Sequence, residues 1–162
     1  MANVFSILII LTSLFIFFED FTSREVTWFF FPLLCLFGIF RSAELSGFMN
    51  SLQQAAISLV AVILQFLVLL CFYVLRDRSF AVLQKIGPGD FLFMAACCFV
   101  LPLRWFLLFN IASLVLTLPL HFLYLKNSNY TKKGTTVSMA GWQALMLSIL
   151  IMLDMANLVN TL

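Results

Sequence analysis

Two acidic residues stand where a largely apolar chain has few reasons to place a charge. Asp20 closes a long apolar run in IFFEDFTSREV, and Asp90 opens another in KIGPGDFLF. Carboxylates are cheap in water and expensive near hydrocarbon, where ionisable groups tend to face protein or a wet cavity and to do work. Two carboxyl groups brought within about 3–5 Å cannot both ionise easily and titrate as a coupled pair. One then holds a proton and polarises a carbonyl, while the other takes a proton from an attacking water. That is the chemistry of an aspartic dyad, and the residues leave open which partner is the base. Each acid also has a plain structural reading. Asp90 suits the positive end of a helix as a cap, and Asp20 suits a solvated loop. Thr22 and Glu25 form a T-x-x-E pattern that predicts the start of the next helix, so Asp20 is not needed there. Asp90 should gain from its own helix end and ionise first, while Asp20 lacks that help. Gly87, Pro88 and Gly89 predict a loop beside Asp90 in which glycines let an extended peptide approach and proline stiffens the turn.

Other candidates are weaker. Arg24 lies four residues beyond Asp20 and suits either a partner for that carboxylate or a membrane-surface anchor. Glu19 and Glu25 read first as solvated loop acids and second as attractants for a basic peptide. His121, the single histidine, and Gln143, just after Gly141-Trp142, are accessory candidates for the same cavity. Asp154 falls near the far end of the last apolar run, away from the pair. Cys35, Cys71, Cys97 and Cys98 lie inside apolar runs and make no C-x-x-C or Cys/His spacing, so they read as small buried hydrophobes rather than metal ligands.

The elements that must position these residues follow from composition. The chain is 64% hydrophobic, with 20 Phe and only 10% charged residues, against roughly 45–50% and 25% in soluble domains. A water-soluble fold of this length has too little interior for that apolar surface. The sequence therefore predicts an all-α, polytopic membrane protein. Apolar segments fall at about 3–19, 26–40, 55–75, 91–103, 105–125 and 139–158. The second is short and holds Pro32. The fourth and fifth form one stretch too long for a single ~30 Å span, so a turn is expected at Pro102–Arg104. With six transmembrane helices, Arg24, Arg76, Arg78, Lys85, Lys126, Lys132 and Lys133 share one side, and Arg41 and Arg104 take the other. The bias puts both termini outside and the 1–2, 3–4 and 5–6 loops in the cytoplasm, so Asp20 and Asp90 share one depth at the cytoplasmic face. Lys132-Lys133 would hold their loop to anionic lipid. The first apolar segment lacks a basic n-region and an A-x-A site and reads as a retained span. A net charge of +2 gives no reason to expect nucleic acid.

At these residues the chain resembles the prepilin and preflagellin peptidases, a family of membrane aspartyl proteases with a G-x-G-D motif. Gly87-Pro-Gly-Asp90 matches that motif at the opening of the fourth span, and Asp20-Phe-Thr-Ser-Arg24-Glu-Val26 matches a D-x-x-x-R-x-[IV] pattern at the end of the first. The similarity of layout covers nearly the entire chain and implies a single membrane-embedded peptidase domain over residues 1–162. It implies Asp20 and Asp90 as the catalytic pair, with no metal or organic cofactor. The substrates it implies are prepilin-like or pseudopilin precursors with a short basic leader, cut at the cytoplasmic face of the inner membrane. Self-association is left open. Two departures count: Phe91-Leu92-Phe93 stands where the family often has V-K-L or I-K-L, and no cysteine-bearing cytosolic insertion is present. The second implies a peptidase without methyltransferase activity. The first leaves room for an inactive relative. The rival reading, from another class, is a non-catalytic membrane subunit or proton-coupled carrier, although no internal repeat supports a carrier.

Overall fold

Long runs of Leu, Ile, Phe and Ala between short polar breaks leave helix as the one conformation that satisfies the backbone locally. A computed structural model of the chain describes residues 2–22, 26–77, 88–127 and 139–156. Every regular element among them is an α-helix: α1 (Ala2–Thr22), α2 (Phe30–Ser46), α3 (Phe48–Asp77), α4 (Pro88–Val100), α5 (Leu103–Asn127) and α6 (Met139–Met155). Hydroxyl groups inside the helices turn back on their own backbone, as in Thr12 Oγ1 to Leu8 O at 2.7 Å and Ser6 Oγ to Ala2 O at 3.1 Å. Such bonds let a polar side chain sit in an apolar run without water.

Apolar side chains cover much of the outside of the bundle as well as filling its core. Phe18, Trp28, Met49 and Leu75 are more than two-thirds exposed, and Ile7, Leu64, Ile111 and Val115 also face outward. Ser13, Ser58, Ser113, Gln143 and Arg41 are buried. Two stretches, Ala2–Thr22 and Phe48–Val68, are long and apolar enough to cross a membrane; Gly89–Val100, Leu103–Ser113 and Ala140–Met155 are shorter apolar helices.

Several boundaries differ from the sequence expectation. Thr22 does not cap the second helix: it ends α1, its hydroxyl donating to Phe18 O at 2.7 Å, and α2 begins at Phe30 with no side-chain cap. Glu19 closes the intervening turn, accepting from the Thr27 backbone N–H and hydroxyl at 2.8 and 3.0 Å. Pro32 falls in the first turn of α2, where its missing N–H costs nothing. The expected loop around residues 41–54 shrinks to Gly47, whose φ of 85° lets α2 pass straight into α3. The break between the fourth and fifth helices comes at Leu101–Pro102, close to where proline placed it. Cys97 and Cys98 are buried and Cys35 half-buried, but Cys71 is exposed.

Arg41, expected in a loop, lies in α2 and is 1% exposed. Its Nε donates to Ser6 Oγ of α1 at 2.8 Å, and its guanidinium pairs with Asp154 of α6. Asp154 is thus held at the end of the bundle away from Asp20, as its position in the last run suggested. Ring pairs Phe5–Phe40 and Phe15–Phe30 run α1 against α2 in antiparallel fashion. Removing one member of a buried pair strands the other charge, at a cost of about 3–5 kcal/mol, whereas an apolar replacement of both is often neutral. Arg41→Met and Asp154→Leu are each expected to lower the melting temperature of the purified protein sharply, and the double substitution to recover most of the loss. Additive losses in the double variant would show that the pair is not coupled.

Candidate active site

The last turn of α1, the first turn of α4 and the first turn of α6 meet at one end of the bundle. Asp20 arrives on α1 and is 6% exposed. Asp90 lies in the first turn of α4 and is half-buried. The opening amides of any helix lack internal acceptors. In α6 they find the two acids: the Ala140 N–H donates to Asp90 Oδ1 at 2.8 Å, and the Gly141 N–H to Asp20 Oδ2 at 2.5 Å. Since consecutive backbone nitrogens are separated by only three covalent bonds, the two accepting oxygens lie within about 10 Å of each other. Residues distant in sequence are therefore joined through one pair of neighbouring peptide groups.

Gly141 is what lets Asp20 come so close. A Cβ there would stand 2.6 Å from Asp20 Oδ2 and 3.1 Å from Asp20 Cβ, so any other residue at 141 would force the Asp20 carboxyl to move. Phe17 lies edge-on to Trp142 with ring centroids 6.1 Å apart and packs the same junction one turn deeper. Neither Ala140 nor Gly141 was singled out by sequence reasoning. The available signal was small: a Met-Ala-Gly-Trp start to an apolar run, with small residues where two other helices must approach.

The two acids differ in their surroundings. Asp20 does have a helix N-terminus, that of α6, so it is not left without dipole support. Asp90 precedes the apolar segment 91–103, and burial pushes its carboxyl up from 3.8 to about 6. The Ala140 N–H opposes that rise and the nearby Asp20 charge adds to it. For Asp90, burial outweighs the helix-end effect.

Of the remaining candidates, Pro88 and Gly89 form the first turn of α4 rather than a loop. A Cβ on Gly89 would find only ordinary contact, with Phe31 Cζ at 3.9 Å, so the residue is not demanded by close packing. Arg24, Glu25 and Gly87 lie outside the described residues, as do Lys132 and Lys133; His121 is in α5, with its side chain outside them. Gln143 is 2% exposed, one turn beyond Ala140, and its Nε2 donates to Ser113 Oγ at 3.3 Å. Among the described residues no three His, Cys, Asp or Glu side chains gather as metal ligands. What the site offers chemically is a pair of carboxyls, one raised toward neutrality, beside oriented amides.

The family model for type IV leader peptidases matches residues 7–122. That stretch includes both Asp20 and Asp90 and stops short of α6. No curated protein and no solved structure matches the chain.

The raised Asp90 carboxyl carries a sign that can be checked. Because its folded value exceeds the unfolded one, the cost of burying it is absent below about pH 4 and complete above about pH 6. Asp90→Asn, which keeps an acceptor for Ala140, is expected to raise the melting temperature at pH 8 by several degrees and to leave it nearly unchanged at pH 4. An equal effect at both pH values would contradict this assignment.

Proposed function

The chain belongs to the type IV leader peptidase family, and on that premise we propose that it is a membrane aspartic endopeptidase whose dyad is Asp20 and Asp90. It removes the short basic leader from prepilin-like or pseudopilin precursors. The observation that carries this reading is the convergence of the two carboxyls on adjacent amides of α6. Asp90, held toward its neutral form by burial, is assigned the proton that polarises the scissile carbonyl. Asp20 takes the proton from water as the water attacks that carbon. The tetrahedral species then collapses, the C–N bond breaks, and a proton passes to the leaving amine. No step calls for a metal or an organic cofactor.

The reading places the whole chain in the inner membrane as one peptidase domain of six spans, with termini outside and the dyad at the cytoplasmic face. Supporting it are the outward-facing Phe, Leu and Val side chains and the excess of Lys and Arg on the loops at the dyad's end. A hydrophobic surface of this extent needs lipid or another apolar partner. Two of the six helices meet the length of a span on their own. The shorter α4 relies on its neighbours to shield its ends. The competing reading, a non-catalytic subunit in which both acids only cap α6, is favoured by the ordinary capping geometry of the same two hydrogen bonds.

Co-expression with a prepilin-like precursor separates the two. Asp20→Asn and Asp90→Asn should each abolish leader removal while the protein still inserts and accumulates. Cleavage retained in both variants would exclude the dyad. Gly141→Ala, which drives a methyl group into Asp20, should lower kcat at least about 100-fold, since ångström-scale misplacement of a catalytic group costs that much. A Gly141→Ala variant with wild-type kcat would show that the α6 junction does not set the geometry of Asp20.

A further inference from the structure

Near the two acids runs a row of buried and half-buried amide and hydroxyl side chains that the proposed dyad does not use. Phe66 of α3 meets Phe91 of α4 edge-on at 4.9 Å, which sets Gln65, one residue earlier, level with the first turn of α4 and hence with Asp90. The Asn110 Nδ2 of α5 donates to Gln65 Oε1 at 2.6 Å. One turn along α5, the Ser113 hydroxyl donates to Asn110 O at 2.9 Å and accepts from Gln143 Nε2 of α6 at 3.3 Å. Gln143 stands three residues after Ala140, so it shares the face of α6 whose amide holds Asp90. Gln65, Asn110, Ser113 and Gln143 therefore form one connected polar layer across three helices, one turn of α6 from the amide that holds Asp90. Beyond it, α3 continues from Phe66 to Asp77 and α5 from Ser113 to Asn127, roughly 16 and 21 Å at 1.5 Å per residue. The layer is recessed between those helix ends.

The orientation of the Gln143 amide is fixed by its partner. The Ser113 hydroxyl donates to Asn110 O and accepts from Gln143. The NH2 group of Gln143 faces Ser113. Gln143 is 2% exposed, and Oε1 is buried without a hydrogen-bond partner. An acceptor stranded in this way costs about 1–3 kcal/mol, a penalty with no structural return. A peptide drawn out of helical form for hydrolysis has the complementary need, because its backbone N–H groups lose their helical partners inside a site walled by protein. We infer that Gln143 Oε1 receives a backbone N–H of the substrate next to the scissile bond, so that Gln143 is a substrate-positioning residue and the polar layer is the subsite that holds it in place. This assignment rests on the leader-peptidase reading of the Asp20–Asp90 pair.

The test uses purified full-length protein in lipid and a synthetic peptide containing a prepilin-like leader junction. Each backbone amide flanking the scissile bond is N-methylated in turn, which removes one donor at a time. With the wild-type protein, one N-methyl position should raise KM about tenfold with little change in kcat, the signature of lost binding common to ground and transition states. Gln143→Met, similar in volume but without the acceptor, should raise KM for the unmodified peptide by a like factor and should be indifferent to N-methylation at that position. Equal N-methyl penalties in the wild-type and Gln143→Met proteins, or an unchanged KM for Gln143→Met, would overturn the assignment. If Gln143→Met does not fold, as judged by its melting curve, the wild-type scan decides by itself: uniform KM values across all N-methyl positions would refute it. Failure of the underlying reading looks different, since the unmodified peptide would then survive the wild-type protein intact.

Discussion

The first turn of α6 presents neighbouring amides with no partners inside their own helix, and the two acids satisfy them from opposite sides. Much else in the bundle follows from that constraint. A helix entering an apolar environment must have its opening N–H groups met by protein, and here the acceptors come from α1 and α4. The same bonds bring a pair of carboxyls together where either alone would be a liability. In the proposed reading, stability and chemistry share one set of contacts. Asp90, which meets the Ala140 N–H, is raised by burial, and the glycine at 141 leaves room for Asp20 to meet the next amide.

The far end of the bundle completes the arrangement. Ser6 and Asp154, bridged by Arg41, fasten α1 to α6 at one end, and Asp20 and Gly141 fasten them at the other. Along α1 the two fastenings are about 21 Å apart and along α6 about 20 Å, at 1.5 Å per residue. The helices are therefore pinned in matching register. A slip of one residue along α6 would break the Arg41–Asp154 pair at one end and the Gly141–Asp20 bond at the other. A slip along α1 would break the Arg41–Ser6 bond and the same Gly141–Asp20 bond. Between the pins the contact is apolar, with Ile9, Ile16, Leu147 and Ile151 fully buried. Van der Waals packing fills the interface, and the polar pairs at its two ends choose the register.

Much of this was legible in the sequence, for identifiable reasons. Apolar runs long enough for helices gave the all-α class, and Pro102 located the break between α4 and α5 to within a residue or two. Asp20 and Asp90 drew attention because charge at the rim of an apolar run is costly and rare. The failures also have physical causes. The Thr22/Glu25 pattern is a local signal, and Glu19, reaching across eight residues to Thr27, outweighed it. Arg41 was placed in a loop because charge predicts exposure, whereas its partner lies 113 residues away, beyond any local pattern. Gly141 and the polar layer around Gln143 depend on which helices touch, and periodicity within one helix does not carry that information.

A cysteine pair tests the geometry at the centre of this account. An ideal Cβ at position 141 lies 3.1 Å from the Asp20 Cβ, so a separation of a few tenths of an ångström brings the two positions into the ~3.5–4.5 Å range of a disulfide. In a chain whose four native cysteines are replaced, Asp20→Cys with Gly141→Cys should form an intramolecular disulfide under mild oxidation in the membrane. The control pair Asp20→Cys with Ile151→Cys, at the far end of α6, should not. Absence of the first cross-link, with both single thiols shown to be present, would mean that α1 and α6 do not meet as described and that Asp20 does not reach the site.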